Sequence, residues 1–178
     1  MALPGDVCRL AGCLTLLPRP QSYGFTPKSS CLKLNIAVIL KKDGAVDGIG
    51  IIIRNTQRRI IAATCEPSFF PGDVVQLGAI AIRRGLCFAR NMGSTRVIKE
   101  GDIRELFLAL KEPGPCFASY GTLVEDIRME SVGFSELSFN CIPPSCNSAA
   151  LSPAKEALSC DLNQVWFGEC PAFLTPFV

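Results

Sequence analysis

Three apolar, strand-like segments follow one another at residues 32–40, 46–55 and 58–64, and the joins between them are too short for anything but antiparallel neighbours. The first join, Lys41-Lys42-Asp43-Gly44, ends in the Asp-Gly pair that favours a hairpin. A meander is therefore fixed before any helical period begins. From Asp73 the pattern changes: Leu77, Ile80, Ala81, Cys87 and Phe88 recur at helical spacing until Asn91-Met92-Gly93, which predicts the longest helix of the chain. A short strand follows at 95–99. A helix opens at Asp102 and runs through Leu110 until Pro113-Gly114-Pro115 breaks it, another spans 117–132, an alternating strand covers 134–142, and a last helix covers 147–160. The predicted order is βββαβααβα, an α/β domain.

With 178 residues, 48% of them apolar, and a mean hydropathy of +0.30, the chain has material for one domain with a real core. Residues 1–30, which carry Pro4, Pro18, Pro20 and Pro27 without a sustained period, are expected to be a disordered leader or linker. The apolar stretch from Arg9 to Leu17 is short for a targeting signal and runs into Pro18-Arg19-Pro20. The domain is expected over 31–160, with 161–178 as a loosely attached extension. No apolar run approaches the length that spans a bilayer, so no membrane partner is expected. Histidine is absent and the ten cysteines form no Cys-x-x-Cys pair, which argues against zinc. Cys65, Cys87 and Cys141 fall in apolar stretches where buried free thiols are ordinary, so the protein reads as reduced and intracellular, with nucleus and cytoplasm not distinguished; a monomer is expected.

A net charge of +2 decides nothing about nucleic acid by itself. The basic residues do bunch, at Arg83, Arg84, Arg90, Arg96 and Lys99. Arg83, Arg84 and Arg90 are candidates for nucleic-acid contact along one helix; a solvated helix face is the other reading.

Several segments, in order and spacing, resemble the plant-type ribonuclease H-like domains related to those of reverse transcriptases. They are Lys33-Leu34-Asn35, Gly48-Ile49-Gly50 with the isoleucines and Arg54 after it, Gln76-Leu77-Gly78-Ala79-Ile80 on the long helix, the stretch from Val97 to Asp102, and the stretch from Pro144 to Ala157. The resemblance covers about Leu32 to Leu158. It implies a mixed five-stranded sheet with helices on its faces, and in active members hydrolysis of the RNA strand of an RNA–DNA hybrid by two Mg²⁺ ions. Two such ions need several carboxylate oxygens: one ion activates water and the other steadies the leaving oxygen.

The family supplies those oxygens from four positions, and this chain departs at three. The acid of the first strand falls at Ala37 or in a shortened segment beside it. The glutamate of the long helix is replaced by Gln76, which keeps an oxygen but no charge, and the Asp or His of the last helix by Leu151. Asp102 is the retained acid and the one candidate metal ligand. Hydrolysis is therefore expected to be absent or very weak, leaving either a degenerate domain that binds hybrid or a decayed, interaction-only domain.

Structural roles compete for the same residues. Asp102-Ile103-Arg104-Glu105 has capping-box spacing, Gln76 fits a solvated first turn, and Ser145 and Asn147 fit caps of the last helix. Asp43 and Asp47 suit hairpin geometry better than substitution for the lost acid. Glu100 is expected on the strand face opposite Asp102, and Pro153 to be tolerated or to kink its helix according to where the helix begins.

Overall fold

The computed structural model describes residues 31–41, 46–69, 72–168 and 170–177. The expected leader and the hairpin turn with Asp43 lie outside the described residues. Among those described, six strands form one mixed sheet in the order β5-β4-β1-β2-β3-β6. They are β1 (Leu32–Ile39), β2 (Asp47–Arg54), β3 (Ile60–Ser68), β4 (Arg96–Gly101), β5 (Glu136–Cys141) and β6 (Gln164–Phe167). The first three form the expected antiparallel meander; β4 runs parallel to β1, and β5 parallel to β4. Four helices, α1 (Val74–Asn91), α2 (Arg104–Lys111), α3 (Gly121–Ser131) and α4 (Ser148–Ala157), cover the sheet.

Strand alternation divides the core. Leu34, Ile36, Ile49, Ile51 and Ile53 are fully buried in a cluster with Leu77, Ala81, Ile82 and Leu86 of α1. Each such isoleucine contributes on the order of 2 kcal/mol through burial. The other face carries Ala37, Gly48, Gly50, Ile52 and Ala63 beneath α4. At Gly48 and Gly50 a Cβ would overlap the carbonyl oxygens of Ala154 and Ala150, so the backbone of α4 lies directly on β2. Pro153 falls inside α4, past its first turn, with its ring against the space above Gly50.

The sheet has one strand more than the five expected, because the segment after α4 is not loosely attached. Gln164–Phe167 pairs antiparallel with β3, from Ala62↔Phe167 to Cys65↔Gln164. Its side chains alternate as a strand's must: Phe167 stacks edge-on against Phe88 on the α1 side, and Trp166 against Phe173 on the α4 side. Leu174, in a short 3-10 helix at Ala172–Phe177, is fully buried with Ile52 and Ala63. Four residues are too short a period to read ahead of the fold. No helix among the described residues is long and apolar enough to cross a membrane. Cys65 is buried and Cys87 half-buried, but Cys141 is exposed on the edge strand β5 rather than buried.

Candidate functional site

Asp102, the acid expected to be retained, lies just past the end of β4, and its partner is an amide. Asn147, immediately before α4, is buried and uses its Nδ2 group twice, donating to the Ile36 carbonyl at 2.7 Å and to Asp102 Oδ1 at 3.0 Å. It thereby ties β1, the end of β4 and the start of α4 together. Neither expected cap forms: α2 begins after Ile103 and α4 after Asn147, both without a side-chain cap hydrogen bond. The carboxylate and amide that would have capped are turned towards each other.

A polar network continues from this pair. Asn35 Nδ2 donates to Glu100 Oε2 at 3.1 Å and faces Asn147 Oδ1 at 3.5 Å, while its Oδ1 accepts from Arg54 at 3.1 Å. Glu100 Oε1 pairs with Lys33 Nζ at 2.9 Å. Glu100 therefore does not point away from Asp102. The two stand two positions apart, strand alternation returns to the same face after two, and Asn35, in register with Glu100, lies there as well. Burial pulls the Arg54 pKa down while Glu100 pulls it up. None of Lys33, Asn35, Arg54 or Glu100 was expected in the site, although the even spacing 33, 35 and 100, 102 was a readable signal.

The three positions at which the resemblance expects acids take part in other structure. Ala37 is buried with Ala150 and Ala154, and Leu151 and Ile39 pack against that cluster, so two of the expected acid positions border one apolar cluster. Gln76 closes a capping box at the start of α1: Asp73 Oδ1 accepts from the backbone of Val75 and Gln76, and Gln76 Oε1 accepts from the Asp73 N–H at 3.2 Å. Gly78, one half-turn on, abuts Ile103, the residue after Asp102, while the Gln76 amide is turned back on its own cap. Asp47 accepts from the Lys41 backbone across the hairpin.

This donor set does not fit two Mg²⁺ ions. Asp102 brings one carboxylate whose Oδ1 already accepts from Asn147, the nearest amide presents its N–H side, and Glu100 is held by Lys33 and Asn35. Hard divalent ions need several oxygen ligands each. Among the described residues no group of three or more Asp, Glu, His or Cys gathers as a metal site requires.

The basic stripe is folded into ion pairs. Arg83 bonds Asp126 at 2.7 Å and lies 4.0 Å from Glu130, Arg90 bonds Glu130 at 3.0 Å, Arg84 bonds the buried Glu66 at 2.7 Å, and Arg96 bonds Glu136 at 2.6 Å. Arg83 and Arg90 join α1 to α3, and Arg84 joins α1 to β3. Lys99 is fully buried, donating to the Glu100 carbonyl at 2.8 Å and lying over the Phe107 ring.

The sequence matches the family described as reverse transcriptase-like over residues 35–157. No curated protein matches it. Solved structures do. The ribonuclease H1 of the halophilic archaeon Halobacterium salinarum superposes with a TM-score of 0.66 at 17% identity, over 72% of this chain and 97% of that one. LC11-RNase H1 in complex with RNA/DNA hybrid superposes at 0.58 and 17%, over 72% of this chain and 96% of that one. The foamy viral protease-reverse transcriptase in complex with RNA/DNA hybrid gives 0.58 and 13%, over 85% of this chain and 23% of that one. The meander, the parallel β4 and β5, and the helix pressed onto β2 are thus a shared architecture, and the chain belongs to the reverse transcriptase-like family, its domain having the ribonuclease H-like fold.

Proposed function

We propose that this domain engages nucleic acid, with RNA–DNA hybrid as the partner class, and that hydrolysis is absent or very weak. The observation that carries the second half is the occupation of the four positions where the resemblance expects carboxylates: Ala37 and Leu151 at one apolar cluster, Gln76 in a helix cap, and Asp102 bound by the Asn147 amide. One carboxylate cannot offset the charge of two divalent cations or fix their spacing. The first half is supported by the family and by two structural neighbours that were solved with RNA/DNA hybrid.

The test is a labelled RNA–DNA hybrid incubated with the protein and Mg²⁺ or Mn²⁺, beside a binding titration over increasing salt. The expected result is salt-sensitive binding without cleavage, unchanged in Asp102→Asn. Cleavage that disappears in Asp102→Asn overturns the loss of hydrolysis. Affinity no greater than that of a neutral protein of this size overturns hybrid binding and favours a second reading, an interaction-only domain. That reading draws on the acid partners of Arg83, Arg84 and Arg90, which commit the stripe to the fold.

A further inference from the structure

Two of the cysteines meet far from the Asp102 network. Cys65 sits on β3, fully buried, and the turn after α4 brings Cys160 to it from 95 residues away, with the sulfurs 3.6 Å apart. Cys160 is half-buried at the edge of the same contact. Its place is set by neighbours on both sides: the Cys160 N–H donates to the Ala157 carbonyl at 3.2 Å, its Sγ lies 3.3 Å from the Glu156 carbonyl, and Gln164 Nε2 donates to that sulfur at 3.4 Å. Gln164 is also the register partner of Cys65 where β6 joins β3. The pair thus lies where α4, β3 and the C-terminal strand converge.

We propose that Cys65 and Cys160 form a reversible intramolecular disulfide, a modification site that fastens the C-terminal turn of α4 and β6 to the sheet. An S–S bond is about 2.05 Å long, so the sulfurs must close by roughly 1.5 Å from their 3.6 Å contact. Cys160, in a turn, supplies that movement. The oxidant is a small-molecule disulfide. The Cys160 thiolate attacks one of its sulfurs and expels one thiolate, leaving a mixed disulfide on Cys160. The Cys65 thiolate then attacks the Cys160 sulfur and expels the second. Two protein thiols are oxidised, one small disulfide is reduced to two thiols, and the two protons pass to the departing thiolates. The order follows from exposure, since Cys65 is sealed under the sheet face and Cys160 is not. Burial, and the hydrogen bond with Cys160, push the Cys65 thiol far up from its ordinary value, which makes the second step the slow one.

The experiment uses the full chain, equilibrated in mixtures of oxidised and reduced glutathione, quenched with an alkylating reagent, digested and mapped by mass. The mapping matters because the chain has ten cysteines. The expected product is one linked peptide pair containing Cys65 and Cys160, two mass units below the reduced pair, accompanied by a rise in Tm on the order of 10 °C, as expected for closing so long a loop. Dithiothreitol should reverse both. Cys160→Ser should remove the linked peptides and the Tm rise. Glutathione carried singly on Cys160 with Cys65 still alkylated, linkage of either residue to another cysteine, or an equal Tm rise in Cys160→Ser would each overturn the proposal. The wild-type mapping stands whether or not the variant folds.

Discussion

Lys99 is held among groups that can satisfy an ammonium only in part: one carbonyl at 2.8 Å, the face of Phe107 at 5.7 Å, and two carboxylates beyond. Burial pulls its pKa well below the ordinary 10.5, with Glu100 and Asp102 opposing. An unfolded lysine stays protonated up to that ordinary value, so between the lowered folded pKa and 10.5 the unfolded chain holds more protons. Stability therefore rises with pH through that window, by at most about 1.4 kcal/mol per pH unit, and levels off above it. Tyr120, which donates to Glu105 and is pushed up to about 12, acts in the opposite sense only above its own unfolded value of about 10. Urea unfolding from neutral pH to about pH 10 should thus show a rise that Lys99→Met flattens; a slope unchanged in the variant would refute it. Asn147→Ala removes both donors from the Ile36 carbonyl and Asp102 in a buried site and should cost about 2 kcal/mol in the same measurement. At this scale the sequence was half legible. Asp102, Gln76, Ala37 and Leu151 could be singled out as candidates by their place in the motifs, because each stands at an offset from an apolar or glycine landmark. That Asn147 would reach across to β1 and Asp102 instead of capping its helix depends on a tertiary approach of residues 36, 102 and 147, which no local spacing contains.

The sheet and helices followed from periodicity wherever a segment was long enough to show one. α1, with its apolar residues at helical spacing from Asp73 onward, was readable, whereas β6 is four residues long and acquires its identity from the β3 edge it pairs with. Gly48 and Gly50 were visible as a motif, but their physical reason is the contact with α4. A Cβ on Gly50 meets the Ala150 carbonyl, the Ala154 nitrogen and the Pro153 ring, so the helix backbone would have to lift. Replacing a strand glycine by alanine gains roughly 0.5–1 kcal/mol of backbone entropy. Overpacking against main chain costs up to about 3 kcal/mol, and it wins. Gly50→Ala should therefore lower the unfolding free energy by about 2 kcal/mol. Gly133→Ala serves as control, because a Cβ there meets its nearest neighbours at 3.5 Å, an ordinary contact; equal losses in the two variants would reject the packing explanation.

Across the whole molecule, the domain keeps the ribonuclease H-like architecture, while three of the four positions where the family resemblance expects acids carry apolar or amide side chains. The residues needed to reverse this stand on three separate elements: Ala37 on β1, Gln76 on α1 and Leu151 on α4, with Asp102 after β4. If the fold alone fixes their mutual placement, restoring the acids together in Ala37→Asp, Gln76→Glu and Leu151→Asp should create a cation site that the natural chain lacks. Without metal the new carboxylates repel one another and Asp102, and one of them lies where Ala37 is buried, so the triple variant should melt below the natural chain. Mn²⁺ should then raise its Tm in a concentration-dependent way, since a ligand that binds only the folded state stabilises by mass action, and leave the natural chain unmoved. Gln76→Glu alone separates the two effects: a carboxylate there still accepts from the Asp73 N–H and sits favourably at a helix N-terminus, so it should keep the cap and show no Mn²⁺ response. A folded triple variant whose Tm is indifferent to Mn²⁺ would mean that the backbone does not bring the four positions to a common point, and that the apolar cluster of Ala37, Ala150 and Ala154, with Leu151 packed against it, has set them apart.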